Sequence, residues 1–308
     1  MTKFFFYDHQ HKAAKLIEAL QAAGWKQVSP SQARVVFFDT DYGIMRKTIK
    51  QHHRTGKKIF MYPHAGPVNL FNDTEGNAPM DCIAANFVTA VGHKEVLERI
   101  DYPRPIETIG WYLCPMKPFE PRAQAVKILF APIHPNADGN LSDVDKTINA
   151  TAFRRLLPLV ENGIISLTVR YLRQLEQNGL WTAESVNYIE GKPDQSYTEI
   201  DAADLVISHQ HQTIAYIAIA RGVPVVMMGT DKPPRFGSPA KGNFEYAKSF
   251  EKYKDLLLYP FDILSEMDTL ALFRRAVHSD VEIADWRRRM VGEPFDAARF
   301  TKKVEAYL

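Results

Sequence analysis

The sequence predicts an α/β protein built from two doubly wound domains. In both halves of the 308 residues, apolar runs of strand length alternate with segments of helical periodicity. A stretch with three prolines and no apolar periodicity, LCPMKPFEPRAQA, separates the halves at residues 113–125. The length suffices for two domains of ordinary size. We therefore predict an N-terminal domain over 1–117 and a C-terminal domain over 118–308, with the last helix available to pack back on the first domain.

The predicted elements of the first domain begin with the strand KFFFY at residues 3–7. A helix follows over residues 12–23, because Ala13, Leu16, Ile17 and Leu20 share one helical face, and Gly24 ends it. The remaining predicted elements are the strand ARVVFFD (33–39), a basic helix at 43–55, the strand KKIFMY (57–62), and two further strands around a short helix in AANFVTAVGHKEVLERI and IETIGW.

The second domain repeats the alternation after the prolines. Its predicted elements are VKILFA (126–131), a helix at 146–161, IISLTV (164–169), a helix at 171–178, the strands SVNYIE and DLVIS, a helix at 213–221 and VPVVMM (223–228). Residues 229–247 are predicted as a loop and the last forty residues as mainly helical.

Composition excludes several classes of protein. No apolar run approaches the roughly 20 residues that a membrane-spanning helix needs, and the opening MTKFFFYDHQ does not resemble a signal peptide. These features favour a cytoplasmic protein. Cys82 and Cys114 have no partner at disulfide-framework or zinc-ligand spacing, and we predict no metal site.

An HQH tripeptide follows a predicted strand twice, at residues 9–11 and at 209–211. Ligands bind doubly wound sheets at the carboxyl ends of their strands, so both turns are candidate site segments. Backbone amides at the first turn of the following helix, aided by the helix dipole, suit a diphosphate. The alternative for the second turn is a helix cap with two incidental histidines.

The segment DAADLVISHQHQTIAYIAIARGVPVVMMG, residues 201–229, resembles the donor site of GT-B glycosyltransferases. The strand led by Asp204 and the strand start at Gly222, Val223 and Pro224 match that frame at the expected spacing. The resemblance implies two Rossmann-like domains facing across a cleft, a nucleoside-diphosphate sugar as co-substrate and no bound cofactor. It assigns the donor diphosphate to these residues: His209, Gln210, His211, Gln212 and Thr213. Ile217 stands where the family often has the acidic residue that holds the ribose.

Two further residues are predicted to bind the donor. His134 lies in KILFAPIHPNADGN, which is similar to the segment that opens this domain in nucleotide-sugar 2-epimerases and in wall teichoic acid glycerophosphotransferases. Arg170 follows a strand, and an arginine fork suits a diphosphate. The alternative for His134 is a surface histidine, and the alternative for Arg170 is a solvated charge.

A histidine of the first domain is the predicted catalytic base, because the acceptor hydroxyl must lose a proton as it attacks. His64 lies in MYPHAGPVN, which resembles the histidine loop of the glycerophosphotransferases and, without its glutamate, that of the epimerases. His11 and His9 follow the first strand, where GT-B enzymes often carry the base, and Asp8 is close enough to orient an imidazole. Each of the three histidines has a reference pKa near 6.5, which suits proton transfer at neutral pH.

The acceptor side is marked by RKTIKQHHRTGKK at residues 46–58, which holds six lysines and arginines and no acidic residue. Arg46, Lys47, Lys50 and Arg54 are therefore predicted to bind an anionic acceptor: DNA, or a cell-envelope polymer or lipid phosphate. The alternative is a solvated helix face.

The sequence thus predicts a metal-independent glycosyltransferase that uses a nucleoside-diphosphate sugar. Three alternatives stay open: a nucleotide-sugar 2-epimerase, a glycerophosphotransferase, and a non-catalytic nucleic-acid-binding protein of the same fold.

Overall fold

The structure is a computed structural model. It describes residues 1–8, 12–39, 44–63, 82–134, 141–172, 174–191, 196–209, 212–229 and 244–308. These residues form two compact units. Unit 1 comprises Met1–Pro115 with Arg288–Leu308, and unit 2 comprises Met116–Arg287.

Unit 1 contains a parallel sheet of six described strands in the order β2-β1-β3-β4-β5-β6. The strands are β1 (Lys3–Tyr7), β2 (Lys26–Gln27), β3 (Val35–Phe38), β4 (Lys58–Met61), β5 (Ala85–Val88) and β6 (Ile106–Thr108). The helices of this unit are α1 (Ala14–Ala22), α2 (Ile44–Arg54), α3 (Val91–Arg99) and α10 (Ala297–Glu305).

The alternation in KFFFY decides which side of β1 each helix covers. Phe4 and Phe6 are buried in a core that α1 and α10 share, and α10 contributes Phe300 and Val304. Because side chains alternate along a strand, Phe5 and Tyr7 point to the opposite face. There they are only partly buried, beside a second core that includes Ile49 of α2. The C-terminal helix is thus part of the core of unit 1.

Unit 2 contains a second parallel sheet, whose described strands have the order β11-β10-β7-β8-β9. The strands are β7 (Lys127–Ala131), β8 (Ser166–Tyr171), β9 (Asn187–Glu190), β10 (Leu205–His209) and β11 (Val225–Met228). The helices are α4 (Asp143–Glu161), α5 (Ser196–Ala202), α6 (Thr213–Ala220), α7 (Phe244–Leu257), α8 (Thr269–His278) and α9 (Asp280–Trp286). A π-helical turn at Arg287–Val291 follows α9, where the chain passes from unit 2 back to unit 1.

The strand order reverses once in each sheet. In unit 1 the reversal lies between β1 and β3, and in unit 2 it lies between β7 and β10. At such a reversal the connecting helices pass to opposite faces of the sheet, which leaves a crevice at the carboxyl ends of the two strands. Residues that bind a ligand are therefore expected at these two crevices.

The predicted α/β class with two parallel sheets is confirmed, whereas one predicted helix is wrong. Among the described residues 171, 172 and 174–178, only Glu176–Asn178 form a helical turn, of the 3₁₀ type, because β8 continues to Tyr171 in register with β9. The Asn178 amide donates to the carbonyls of Leu172 and Gln174, so its side chain competes with a helical ladder. Most of the predicted loop at 229–247 lies outside the described residues.

Within the parts of the chain that the structure describes, no helix combines the length and apolarity required to cross a membrane.

Candidate functional site

Gln212 joins the two strands that border the crevice of unit 2. Its Oε1 accepts from Ser208 Oγ, at 2.6 Å, near the end of β10. Its Nε2 donates to the carbonyl of Pro132, at 2.8 Å, just after β7, and lies 3.0 Å from His134 Nδ1. One side chain therefore fixes the carboxyl ends of β7 and β10 relative to each other.

The contact with Gln212 also sets the tautomer of His134. An amide nitrogen can only donate, so Nδ1 of His134 accepts and the imidazole hydrogen sits on Nε2 when the ring is neutral. The His134 side chain is exposed. The structure thus brings together Gln212 and His134, two residues that lie 78 positions apart in the sequence. An N–H on an exposed ring is suited to donate to a phosphate oxygen.

The first turn of α6 begins at the same crevice. Gln212 is the N-cap residue with extended backbone, and its side chain makes no capping bond to the helix. The helix behind it is buried from Ile214 to Ala220. Amides at an uncapped helix start retain their donor capacity, and the helix dipole favours negative charge there. Thr213, the first helical residue, lies at this position as predicted from the sequence.

His209 differs from a cationic phosphate ligand. Burial lowers the pKa of His209 to about 4, so the imidazole is neutral at neutral pH. It can contribute a hydrogen bond in this crevice but no positive charge. Gln210 and His211, the next two predicted donor residues, lie outside the described residues.

Arg170 is held in an ion pair. Its Nε lies 2.6 Å from Glu199 Oε2 of α5, and both side chains are largely buried. A Cβ at Gly191 would lie 2.6 Å from the guanidinium, so the absence of a side chain at that position makes room for the pair. This pairing gives Arg170 a structural role within unit 2, and its predicted contact with the donor stays a prediction.

The crevice of unit 1 carries ionic side chains. Asp8 follows β1, and its two carboxylate oxygens accept the backbone N–H groups of Lys12 and Ala13, each at 2.9 Å. The carboxylate thereby ties the residues just before α1 to the end of β1. His9 and His11 lie outside the described residues, so the predicted orientation of an imidazole by Asp8 stays a prediction.

Asp39, which was not predicted as a site residue, lies at the same end of the sheet as Asp8. It follows β3, is fully buried, and its backbone N–H donates to the Tyr7 carbonyl at 3.4 Å. Burial lowers the pKa of the Lys12 ammonium, while the charges of Asp8 and Asp39 act in the opposite direction. The signal in the sequence was an aspartate placed directly after the apolar run VVFF.

Two tyrosines complete this group. Burial raises the pKa of Tyr62, and the charges of Asp39 and Asp8 raise it further. Burial also raises the pKa of Tyr112, whose hydroxyl donates to the carbonyl of Pro63. We call the set of Asp8, Lys12, Asp39, Tyr62 and Tyr112 the carboxylate cluster. Pro63 is the last described residue before the gap that contains His64, and its carbonyl is anchored at this cluster.

The four predicted acceptor residues lie on α2. Lys47, Lys50 and Arg54 are exposed and share one helical face, and Arg46 is half-buried. His52, on another side of the helix, is buried and lies 2.7 Å from Tyr7 Oη through its Nε2. The structure thus brings the four cations to one helix, and it separates the three exposed side chains from His52, one of the two histidines in the same basic run.

Among the described residues, no three or more His, Cys, Asp or Glu side chains are grouped so that they could hold a metal ion.

Known proteins resemble this chain in structure and not in sequence. No protein-family model matches the chain, and no curated protein sequence matches it. Solved structures do match. An MnaA–UDP complex from S. aureus has a TM-score of 0.59 at 11% identity, covering 100% of this chain and 97% of that one. The glycosyltransferase SnogD from Streptomyces nogalater has a TM-score of 0.52 at 14% identity, covering 100% of both chains.

A third similar structure is the UDP-GlcNAc 2-epimerase from Neisseria meningitidis bound to UDP-GlcNAc. Its TM-score is 0.54 at 10% identity, and the match covers 99% of this chain and 98% of that one. The matches extend over the whole chain, although few residues are identical. Together with the two parallel sheets, they confirm the fold that the donor-site segment predicted. The chain has the GT-B fold.

Proposed function

We propose that this protein is a glycosyltransferase that moves a sugar from a nucleoside-diphosphate sugar to an acceptor hydroxyl. The observation that carries the proposal is the Gln212 bridge, which fixes His134 and the uncapped start of α6 at the strand-order reversal of unit 2. Nucleotide ligands in the similar structures from S. aureus and N. meningitidis support a donor of this class.

The leaving diphosphate gains negative charge during transfer, and fixed donors aimed at it lower the barrier. In the proposed site these donors are the first-turn amides of α6 and the Nε2–H of His134. His209 is neutral in the folded protein at neutral pH, because burial lowers its pKa to about 4. No metal ion is required in this scheme, because amides and an imidazole supply the stabilisation.

The acceptor hydroxyl is activated in unit 1. His64 is the first candidate for the base, with His11 and His9 as competitors, and all three follow strands whose carboxyl ends lie at the carboxylate cluster. A cationic imidazolium forms when the base takes the proton. Asp8 and Asp39 would stabilise that cation. The carboxylate cluster holds these two carboxylates and one ammonium, that of Lys12, so its net charge is negative.

The acceptor itself is proposed to be anionic, as a cell-envelope polymer or a lipid phosphate would be. The exposed cations of α2, Lys47, Lys50 and Arg54, together with Arg46, support this choice. None of the three similar structures named above is described as a DNA-modifying enzyme, and DNA is not part of the proposal.

A thermal-shift screen against UDP-, GDP-, TDP-, ADP- and CMP-linked sugars tests the donor class. At least one of them should raise the melting temperature, because a ligand that binds only the folded state stabilises it. Absence of any shift would contradict the proposal. For the base, His64→Ala should abolish transfer while the donor still shifts the melting temperature; retained transfer would assign the role to His9 or His11.

An epimerase acting on the nucleotide sugar is the second candidate, favoured by the similarity to the N. meningitidis epimerase. The two functions differ in their need for an acceptor. NMR of the donor incubated with the protein alone decides between them, since only an epimerase changes the sugar without an acceptor.

A further inference from the structure

Unit 1 has an open groove of about 1030 Å³ that is lined mainly by α2 and by the amino ends of β3 and β4. It lies on the same side of the sheet as α2. One wall is α2, with Thr48, Gln51 and Thr55, and the other is the turn before β3, with Pro30 and Ser31. The groove exists because β2 is only two residues long, so Tyr7 remains half-buried beside α2.

The charged side chains of this groove have one sign. Arg34, Lys57 and Lys58 line it, and none of the described residues that line it is an aspartate or a glutamate. The Lys57 ammonium donates to the carbonyls of Pro30 and Ser31 and makes no ion pair with a described carboxylate. Burial lowers the pKa of Lys57, as expected for a cation without a counter-charge. The groove is therefore electrostatically suited to an anion.

The floor of the groove has a planar, weakly polar surface. The Tyr7 ring stacks on Phe38 with centroids 4.4 Å apart, and its hydroxyl lies 2.7 Å from His52 Nε2. Burial lowers the pKa of His52, with the Lys57 charge acting in the same direction, so the floor is neutral at neutral pH. A fixed aromatic ring of this kind can support a flat group of a ligand, while the cations above it hold a charged group.

We propose that this groove is a second binding site that takes a small phosphorylated molecule with a planar portion. Arg34 and Lys57 bind its phosphate, and Tyr7 with His52 supports the planar portion. The site lies on one face of the sheet of unit 1, and it is separate from the proposed donor residues, all of which belong to unit 2.

Phenyl phosphate is the probe, measured by isothermal titration calorimetry on the full chain at about 0.15 M ionic strength, where exposed surface charges are screened. We expect a Kd below roughly 1 mM. Arg34→Gln should weaken binding about tenfold, because a charge-assisted hydrogen bond is lost, and Arg34→Gln with Lys57→Gln should weaken it further. Gln51→Trp fills the groove without changing its charge and should also weaken binding.

The matched control is Lys15→Gln with Lys26→Gln, which removes two exposed charges of unit 1 outside the groove. It should change the Kd less than twofold. An equal loss in this control, no binding in the millimolar range, or unchanged binding in both Arg34→Gln and Gln51→Trp would overturn the proposal. Gln212→Ala distinguishes this site from the donor site: loss of phenyl phosphate binding in that variant would place the ligand in unit 2. Circular dichroism confirms that each variant is folded.

Discussion

The crevices of the two sheets carry different kinds of polar side chain. Between β7 and β10 of unit 2, the described polar groups are a hydroxyl, an amide and two imidazole residues, all linked through hydrogen bonds to Gln212: Ser208, His209, Gln212 and His134. Between β1 and β3 of unit 1, the groups are ionic, with two aspartates near a partly buried lysine. Neutral donors suit a ligand that brings its own negative charge, whereas carboxylates suit proton transfer. The division of labour in the proposed reaction follows from this difference.

Replacing Asp39 should have the largest effect, because it removes a buried charge from the ionic crevice. We expect Asp39→Asn to lower the transfer rate by roughly 100-fold or more, the scale of acid–base assistance, with the donor thermal shift unchanged. Steady-state kinetics measures the transfer rate, and the thermal-shift assay measures the effect of the donor on the melting temperature. Asp101→Asn makes the same chemical change at an exposed position whose φ of 57° asparagine tolerates. Activity within threefold of the unmodified protein in Asp39→Asn would show that the ionic crevice is not used.

Gly222 tests how closely the connection between α6 and β11 packs in unit 2. It has φ of 73°, and a Cβ there would lie 2.0 Å from the Pro118 carbonyl oxygen. Gly222→Ala should therefore lower the free energy of unfolding by at least about 3 kcal/mol. Gly163→Ala shares the positive φ, at 67°, but would meet no atom within 4 Å, so its cost should be about 1 to 2 kcal/mol. Chemical denaturation measures both, and equal costs would contradict the close approach.

His209 gives unit 2 a pH dependence. Its pKa in the folded state is about 4, below the unfolded value of 6.5, so only the unfolded state gains a proton as the pH falls. This contribution to stability is complete above pH 6.5 and is lost progressively toward pH 4. Between pH 6.5 and pH 5 it should amount to about 2 kcal/mol.

His209→Gln should remove that part of the slope when the free energy of unfolding is measured across this pH range. His93 of unit 1, which burial holds at a pKa of about 3, acts with the same sign and should keep its own share in the His209 variant. An unchanged slope in His209→Gln would mean that this imidazole is accessible to protons in the folded state.

Gln212→Ala should have the smallest effect, about tenfold weaker donor binding, because His134 loses its hydrogen bond to Gln212 but the amides of α6 remain. Titration with the donor found in the thermal-shift screen measures it. Gln174→Ala, at an exposed position of the same unit, is the control. A loss of more than a hundredfold would indicate that the bridge holds the whole crevice together.

Pattern in the sequence predicted most strands of both sheets and the chemical type of several site residues. VVFF and LVIS are fully buried strands, and KFFFY buries Phe4 and Phe6, because apolar runs are stabilised by removal from water. The donor frame at 201–229 predicted the GT-B fold, since its strand, turn and helix must keep a fixed spacing. The helix at 171–178 was predicted wrongly because periodicity does not register a side chain such as Asn178 that bonds the backbone.

By itself the sequence determined the alternation of strands and helices, the GT-B fold, and the positions of Gln212 and Asp8 at strand ends. Only the tertiary structure decided that Gln212 bridges to His134, that Arg170 pairs with Glu199, and that Asp39 lies beside Asp8. The local sequence determines which side chains stand at the end of a strand. Which strand ends become neighbours depends on the order of strands in the sheet, and that order is set by long-range packing.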